Sequence, residues 1–267
     1  MWSIFESKKL GGSTSLAGGE SILAKNLPRL TSIYYTDKLI HSLSSNNKSD
    51  PFYEHFLQSA QSLVYIKNKT IPEEDEILNK KVYLPPLRKE GMKTIVFDLD
   101  ETLIHCNDDD TSPSDMRIPI KFSGGEAVTA GLNIRPFARQ ALKTLSKTFE
   151  IVIFTASHIC YANEVLNILD PDNKFISYRM YRDSCVKTED GIFIKDLRVF
   201  GNRKISDILL VDNAFYSYGY QLANGVPILP FYNNKHDTEL KDLTDFLLQI
   251  EKVRDVRDAT SRFFMYP

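Results

Sequence analysis

At 267 residues with 42% hydrophobic side chains, the chain is long enough for one or two domains with a sizeable core. Its formal net charge of −2 gives no global basic bias toward nucleic acid or an anionic membrane surface. No apolar run reaches bilayer length, the first twenty residues lack a continuous apolar segment, and Cys106, Cys160 and Cys185 form no C-x-x-C pair. The expectation is a protein of a reducing compartment, nuclear or cytoplasmic and not secreted, with no nucleic-acid or membrane partner.

Residues 1 to about 20 are rich in Gly and Ser and read as flexible linker; no Gly-Lys-Ser/Thr follows Gly11, Gly12, Gly18 and Gly19 to make a phosphate-binding loop. Helical spacing predicts a helix from Pro51 to about Lys67, with Phe52, Phe56, Ala60, Leu63 and Val64 on its apolar face. Pro72 to Lys80, with Glu73-Glu74-Asp75-Glu76, reads as a solvated loop, and Pro85-Pro86 punctuates the approach to the first buried strand. The expected organisation is an accessory N-terminal extension over residues 1–85 and a main domain over residues 86–267.

Ile95-Val96-Phe97 has the pattern of a strand buried on both faces. Asp108-Asp109-Asp110 and Pro113 then read as a loop. Ile118, Ile120 and Phe122 alternate with Pro119 and Lys121 before Gly124-Gly125, so a small β insertion is expected up to about Ile134. Pro136 suits the first turn of a helix that buries Phe137, Ala141, Leu142 and Leu145. Ile151-Val152-Ile153-Phe154 is a second buried strand. Ser157 is the expected N-cap of a helix carrying Ile159, Ala162, Val165, Leu166 and Leu169, stopped by Pro171. Ile208-Leu209-Leu210-Val211 is a third buried strand. A final amphipathic helix is expected from about Thr238 to Val253 through Leu240, Leu243, Phe246, Leu247 and Ile250. Strands alternating with helices predict an α/β fold with a mostly parallel sheet.

Each buried run ends in polar groups: Asp98 and Asp100 after the first, Thr155 after the second, Asp212 and Asn213 after the third. Ligands bind at the carboxyl edge of open parallel sheets, so these five residues are expected in one crevice. Two carboxylates two residues apart point to the same side of an extended chain. They cannot both stay ionised cheaply without a cation between them or a shared proton. A metal-assisted nucleophile beside a general acid meets both conditions. His105, Cys106, His158 and Cys160 match no standard zinc spacing, and no cysteine is followed by Arg at the sixth position, so no cysteine-phosphatase loop is present.

Asp98-Leu99-Asp100-Glu101-Thr102 behind a buried strand resembles the signature of the haloacid-dehalogenase (HAD) superfamily of phosphotransferases. With Phe154-Thr155-Ala156-Ser157, Arg182-Asp183-Ser184-Cys185, Ile194-Lys195-Asp196-Leu197 and Val211-Asp212-Asn213 following in order, the chain resembles the small C-terminal-domain phosphatases, FCP/SCP-like, over about residues 92–255. The resemblance implies a HAD-like Rossmannoid sheet flanked by helices, with the small β insertion after the first strand. It implies a protein serine/threonine phosphatase acting on a phosphorylated protein, such as the RNA polymerase II tail. Asp98 would be the nucleophile that forms an aspartyl-phosphate, and Asp100 the general acid and then base. Thr155 and Lys195 would hold the phosphoryl oxygens. Thr102, Ser157 and Arg182 would contact substrate. Mg²⁺ would be held by Asp98, the Asp100 carbonyl and Asn213, with Asp212 close by. Ala214-Phe215 stand where these phosphatases usually have Ser-Pro. Two other readings keep the fold: a catalytically weak binding module like the mitochondrial import receptor, and a small-molecule phosphatase.

Overall fold

The computed structural model describes residues 50–263 except 108, 110 and 123; the linker expected over residues 1 to about 20, and Asp108 and Asp110 of the acidic run, lie outside the described residues. A five-stranded parallel sheet forms the centre, in the order β10 (Gly225–Pro227), β9 (Ile208–Asp212), β1 (Thr94–Phe97), β5 (Glu150–Phe154), β6 (Tyr178–Met180). Successive residues of each inner strand face opposite layers. Ile95, Phe97, Ile151, Ile153, Leu209 and Val211 enter one core, whereas Val96, Val152, Phe154, Ile208 and Leu210 enter the other. This two-sided burial is why the strands read as unbroken apolar runs. The α/β class expected from the sequence is the one observed.

The chain leaves β1 to the β5 side and returns to β9 on the other. The topological switch point therefore falls beside β1, where a crevice opens at the carboxyl edge. The first core lies under α3 (Ala138–Leu145), α4 (Ile159–Leu169), α5 (Glu239–Gln249) and α6 (Val256–Phe263), numbered after α1 and α2 described below. The insertion is a three-stranded antiparallel sheet, β2 (Ile104–Asn107), β4 (Ala127–Ile134) and β3 (Met116–Lys121), which buries Ile118 and Ile120 as their alternation requires.

Several local expectations give way. The loop expected at Pro72–Lys80 contains α2 (Glu74–Leu78), whose Ile77 is fully buried in the second core. In α1 (Pro51–Lys67) the buried face is rotated: His55, Ser59, Ala60, Ser62 and Ile66 face inward, and Val64 is 55% exposed. Phe56 and Leu63 still pack on the second core. Phe137 is not part of a helical face. It takes a left-handed conformation before α3 and stays exposed. Ile159 is also exposed, and Tyr161 takes the inward place on α4. The helix over 239–249 is not final; α6 follows it.

Leu84 and Ile77 belong to the second core, Val82 forms a bridge to Phe200, and α1 lies against the 3₁₀ segment Phe215–Asn224. The boundary expected near residue 85 thus falls within continuous packing.

Candidate active site

Asp98 follows β1 directly, and its N–H donates to Val211 O at 2.9 Å, which ties the start of the loop to β9. The next residues turn tightly: Leu99 O accepts from Thr102 N at 3.3 Å and Leu103 N at 2.9 Å, and Glu101 has φ 57°. Left-handed backbone at a non-glycine residue is strained, and such strain persists where surrounding contacts over-determine it. Here they do. Glu101 N donates to Ile104 O at 2.7 Å, and Glu101 O accepts from Phe231 N at 2.8 Å. Buried Arg135 donates to Thr102 O at 3.1 Å while its fork grips Asp237 with two 2.9 Å bonds.

Three strands bring the expected residues together. Lys195, 2% exposed just after β8 (Phe193–Ile194, paired with β7 at Val186–Lys187), lies between Asp98 Oδ1 at 2.5 Å and Asp212 Oδ2 at 2.6 Å. Burial opposes the Lys195 charge, but Asp212 and Asp98 outweigh it and raise the ammonium above its ordinary value. Burial, reinforced by Asp212, pushes Asp98 well above the usual carboxylate range although Lys195 pulls the other way. The fully buried Thr102 hydroxyl lies 3.2 Å from both Asp98 Oδ2 and Asn213 Oδ1.

Asp100 has different surroundings. Its Oδ1 accepts from Tyr161 Oη at 2.5 Å, and its Oδ2 accepts from Ser157 Oγ at 2.6 Å and Thr155 Oγ1 at 3.5 Å. Burial and the neighbouring Glu101 raise it above the ordinary value, against the opposing hydroxyl bonds. Ser157 is therefore not the cap of α4. His158 takes that role through Nδ1 and Cys160 N, which frees Ser157 for Asp100. The Ser157 N–H donates to Thr155 Oγ1 at 3.0 Å. Arg182 is half-buried, donates from Nε to Ala156 O at 2.6 Å and stacks over Phe193. It braces the loop that carries Thr155 and Ser157. His105 Nδ1 lies 3.2 Å from Glu101 Oε1.

The donor set fits a hard cation. Lys195 takes one oxygen each of Asp98 and Asp212, and the other Asp212 oxygen accepts from Ala214 N. Asp98 Oδ2 and Asn213 Oδ1 each lie 3.2 Å from the Thr102 hydroxyl. Among the described residues no three His, Cys, Asp or Glu side chains gather into a complete cage. An oxygen set with few carboxylates that leaves room for phosphate and water is the habit of Mg²⁺. Two carboxylates share one lysine here, with Asp100 nearby on hydroxyls alone.

Four participants were not legible as site residues: Tyr161, Arg135, Asp237 and His55. Tyr161 sits on the apolar stripe of α4 one turn after Ser157, and only that spacing hints at a shared partner. His55 of α1, 2% exposed, has Nε2 2.7 Å from Asn213 O. A carbonyl can only accept, so Nε2 carries the proton. Burial lowers the ring to about 4, leaving it neutral near pH 7.

Residues 93–257 match the family described as NLI interacting factor-like phosphatase. CTD small phosphatase-like protein 2 of Dictyostelium discoideum is 42% identical over 177 residues, 66% of this chain and 30% of that protein. CTD small phosphatase-like protein 3 of Caenorhabditis elegans is 40% identical over 189 residues, 70% of this chain and 65% of that one. The chain spans less than two thirds of either. The human carboxy-terminal domain RNA polymerase II polypeptide A small phosphatase 1 is 34% identical over 200 residues, 74% of each chain.

Proposed function

The chain belongs to the NLI interacting factor-like phosphatase family, and from that premise we propose that it is a Mg²⁺-dependent phosphatase of phosphoserine and phosphothreonine in proteins, working through an aspartyl-phosphate on Asp98. The observation that carries this reading is the contrast between two carboxylates two residues apart. Asp98 lies against the Lys195 ammonium, whereas Asp100 is held by three hydroxyls and no cation. Two carboxylates with opposed surroundings take two roles.

Asp98 attacks phosphorus in line while the Asp100 proton passes to the departing seryl oxygen. Lys195 and Thr155 offer positive charge and a hydroxyl to the phosphoryl oxygens. Asp100, now a carboxylate, then takes a proton from the water that cleaves the acyl phosphate. The Ser157 hydroxyl can rotate to accept when Asp100 is protonated and to donate when it is not. Thr102, fully buried, holds Asp98 and Asn213 in register, and Arg182 braces the 155–157 loop. Asp98, the Asp100 carbonyl and Asn213 would hold Mg²⁺, with Asp212 engaged to Lys195 beside them, and the ion would offset the repulsion of a carboxylate for a phosphate dianion.

A protein substrate is favoured by the insertion sheet beside the crevice. Phe122, at the end of β3, packs its ring 6.0 Å from His158 in the loop after β5, so an apolar wall adjoins the phosphoryl site. Asp109 is turned onto Thr111 and Ser112. The names of the relatives make the RNA polymerase II tail a first peptide to test. Cys106, Cys160 and Cys185 form no disulfide, which suits the nucleus or cytoplasm, and no helix among the described residues is long and apolar enough to cross a membrane.

Kinetics on a phosphopeptide panel, sugar phosphates and a small aryl phosphate, with EDTA and with Mg²⁺, tests the reading. Phosphoserine and phosphothreonine peptides should have the highest kcat/KM, with turnover lost in EDTA and restored by Mg²⁺. A sugar phosphate or phosphotyrosine peptide well above every phosphoserine and phosphothreonine peptide would overturn the substrate class. No turnover of anything would favour a binding module.

A further inference from the structure

α1 lies outside the residues that match the family, yet it reaches the loop that carries the metal-binding oxygens. Asp50 caps its first turn at Phe52 N, and Pro51 opens it. At its far end Ile66 lies so tightly over Gly219 that a Cβ there would overlap the isoleucine side chain. In between, the buried His55 ring meets Phe215 edge-on at 6.1 Å, and Ser59 Oγ donates to His55 O at 2.6 Å. The helix is therefore fixed to the 3₁₀ segment Phe215–Asn224 at two places, Phe215 and Gly219. His55 Nε2 is delivered to Asn213 O at 2.7 Å, on the residue whose side-chain oxygen, like Asp98 Oδ2, lies 3.2 Å from the Thr102 hydroxyl. The same peptide unit is held on its other side, where Ala214 N donates to Asp212 Oδ1, so His55 and Asp212 grip the Asn213–Ala214 peptide between them.

We propose that α1 is a strut for the metal loop and that His55 is a positioning residue: its N–H fixes the Asn213 carbonyl and so aims the Asn213 side chain at Mg²⁺. This rests on the phosphatase reading in taking Asn213 as a ligand. The contact is a hydrogen bond behind a ligand, and partners of this kind set metal affinity by about 10–100-fold. A helix that merely covers Phe215 would need apolar residues at position 55, not a buried imidazole aimed at a carbonyl.

The test uses the full chain and three variants: His55→Ala, His55→Gln, which keeps an N–H at the Nε2 position, and Gly219→Val, which leaves His55 intact but forces the helix off its seat. Mg²⁺ alone is titrated calorimetrically into each, and melting is followed with and without the ion. His55→Ala and Gly219→Val should weaken Mg²⁺ binding by about tenfold or more, and His55→Gln should recover most of it. Unchanged Mg²⁺ affinity in folded His55→Ala and Gly219→Val would overturn the strut, whatever happens to melting, and so would a His55→Gln chain no tighter than His55→Ala. If His55→Ala does not fold, Gly219→Val decides alone. A wild-type chain that binds no Mg²⁺ also overturns it. A wild-type chain that binds Mg²⁺ but turns over no phosphoester defeats the phosphatase reading and leaves the comparison of variants standing.

Discussion

Tyr161 donates a 2.5 Å hydrogen bond to Asp100, from the inner face of α4 to the second carboxylate of the β1 loop. That bond stabilises the charged form of Asp100, while burial and Glu101 work against it and win. A leaving oxygen needs the protonated form, so kcat should fall as pH rises through the raised Asp100 pKa, and fall again at the acid end, where a protonated Asp98 cannot attack. Tyr161→Phe removes one bond to the carboxylate, so that pKa rises further and the falling limb moves to higher pH. The looser carboxyl should also lower the maximum rate, by less than the ~10²-fold or more that general acid catalysis supplies. A kcat profile of both chains checks this; an unmoved limb would mean that Tyr161 does not touch the titrating acid.

Lys195→Met leaves Asp98 and Asp212 facing each other in a buried pocket with no ammonium between them. Breaking a buried ion set on one side costs about 3–5 kcal/mol. The melting temperature should fall markedly and kcat should drop by at least about 10²-fold. Saturating Mg²⁺ should return part of the stability but little of the rate, because the phosphoryl oxygens have lost a partner. Urea unfolding and initial rates, each with and without the ion, read both effects.

The strands and the residues at their carboxyl ends were legible because burial on both faces leaves an unbroken apolar run, and the polar group that ends it is conspicuous. The insertion was legible from the alternation of Ile118 and Ile120. Contacts made across long sequence separations were not. Tyr161 reads as core, and Arg135 and Asp237 are 102 positions apart. His55 reaches over 158 positions to Asn213. The apolar face of α1 was misjudged for the same reason: its neighbour is a 3₁₀ segment rich in aromatics, which accepts His55, Ser59 and Ser62 inward and leaves Val64 in solvent. The acidic run that forms the first turn of α2 hid Ile77, a single anchoring residue without a periodic pattern around it.

A chain starting at Leu84 loses α1 and α2 and uncovers Phe215 and Tyr218. Ile77 alone is a fully buried aliphatic side chain, whose loss costs about 2–5 kcal/mol. The shortened chain should melt at least about 10 °C below the full one and expose apolar surface to a fluorescent dye. Equal melting temperatures would make residues 1–83 an appendage after all.

The central claim is the covalent step at Asp98. Acid quenching during turnover of a phosphoserine peptide, borohydride reduction and peptide mapping by mass spectrometry would locate any acyl phosphate, since reduction converts the phosphorylated aspartate to homoserine. That conversion is expected at Asp98, dependent on Mg²⁺ and absent from Asp98→Asn, whose kcat should be lower by about 10³, or about 4 kcal/mol. Sustained turnover with the modification at Asp100, at another residue or nowhere, or a fully active Asp98→Asn chain, would contradict it.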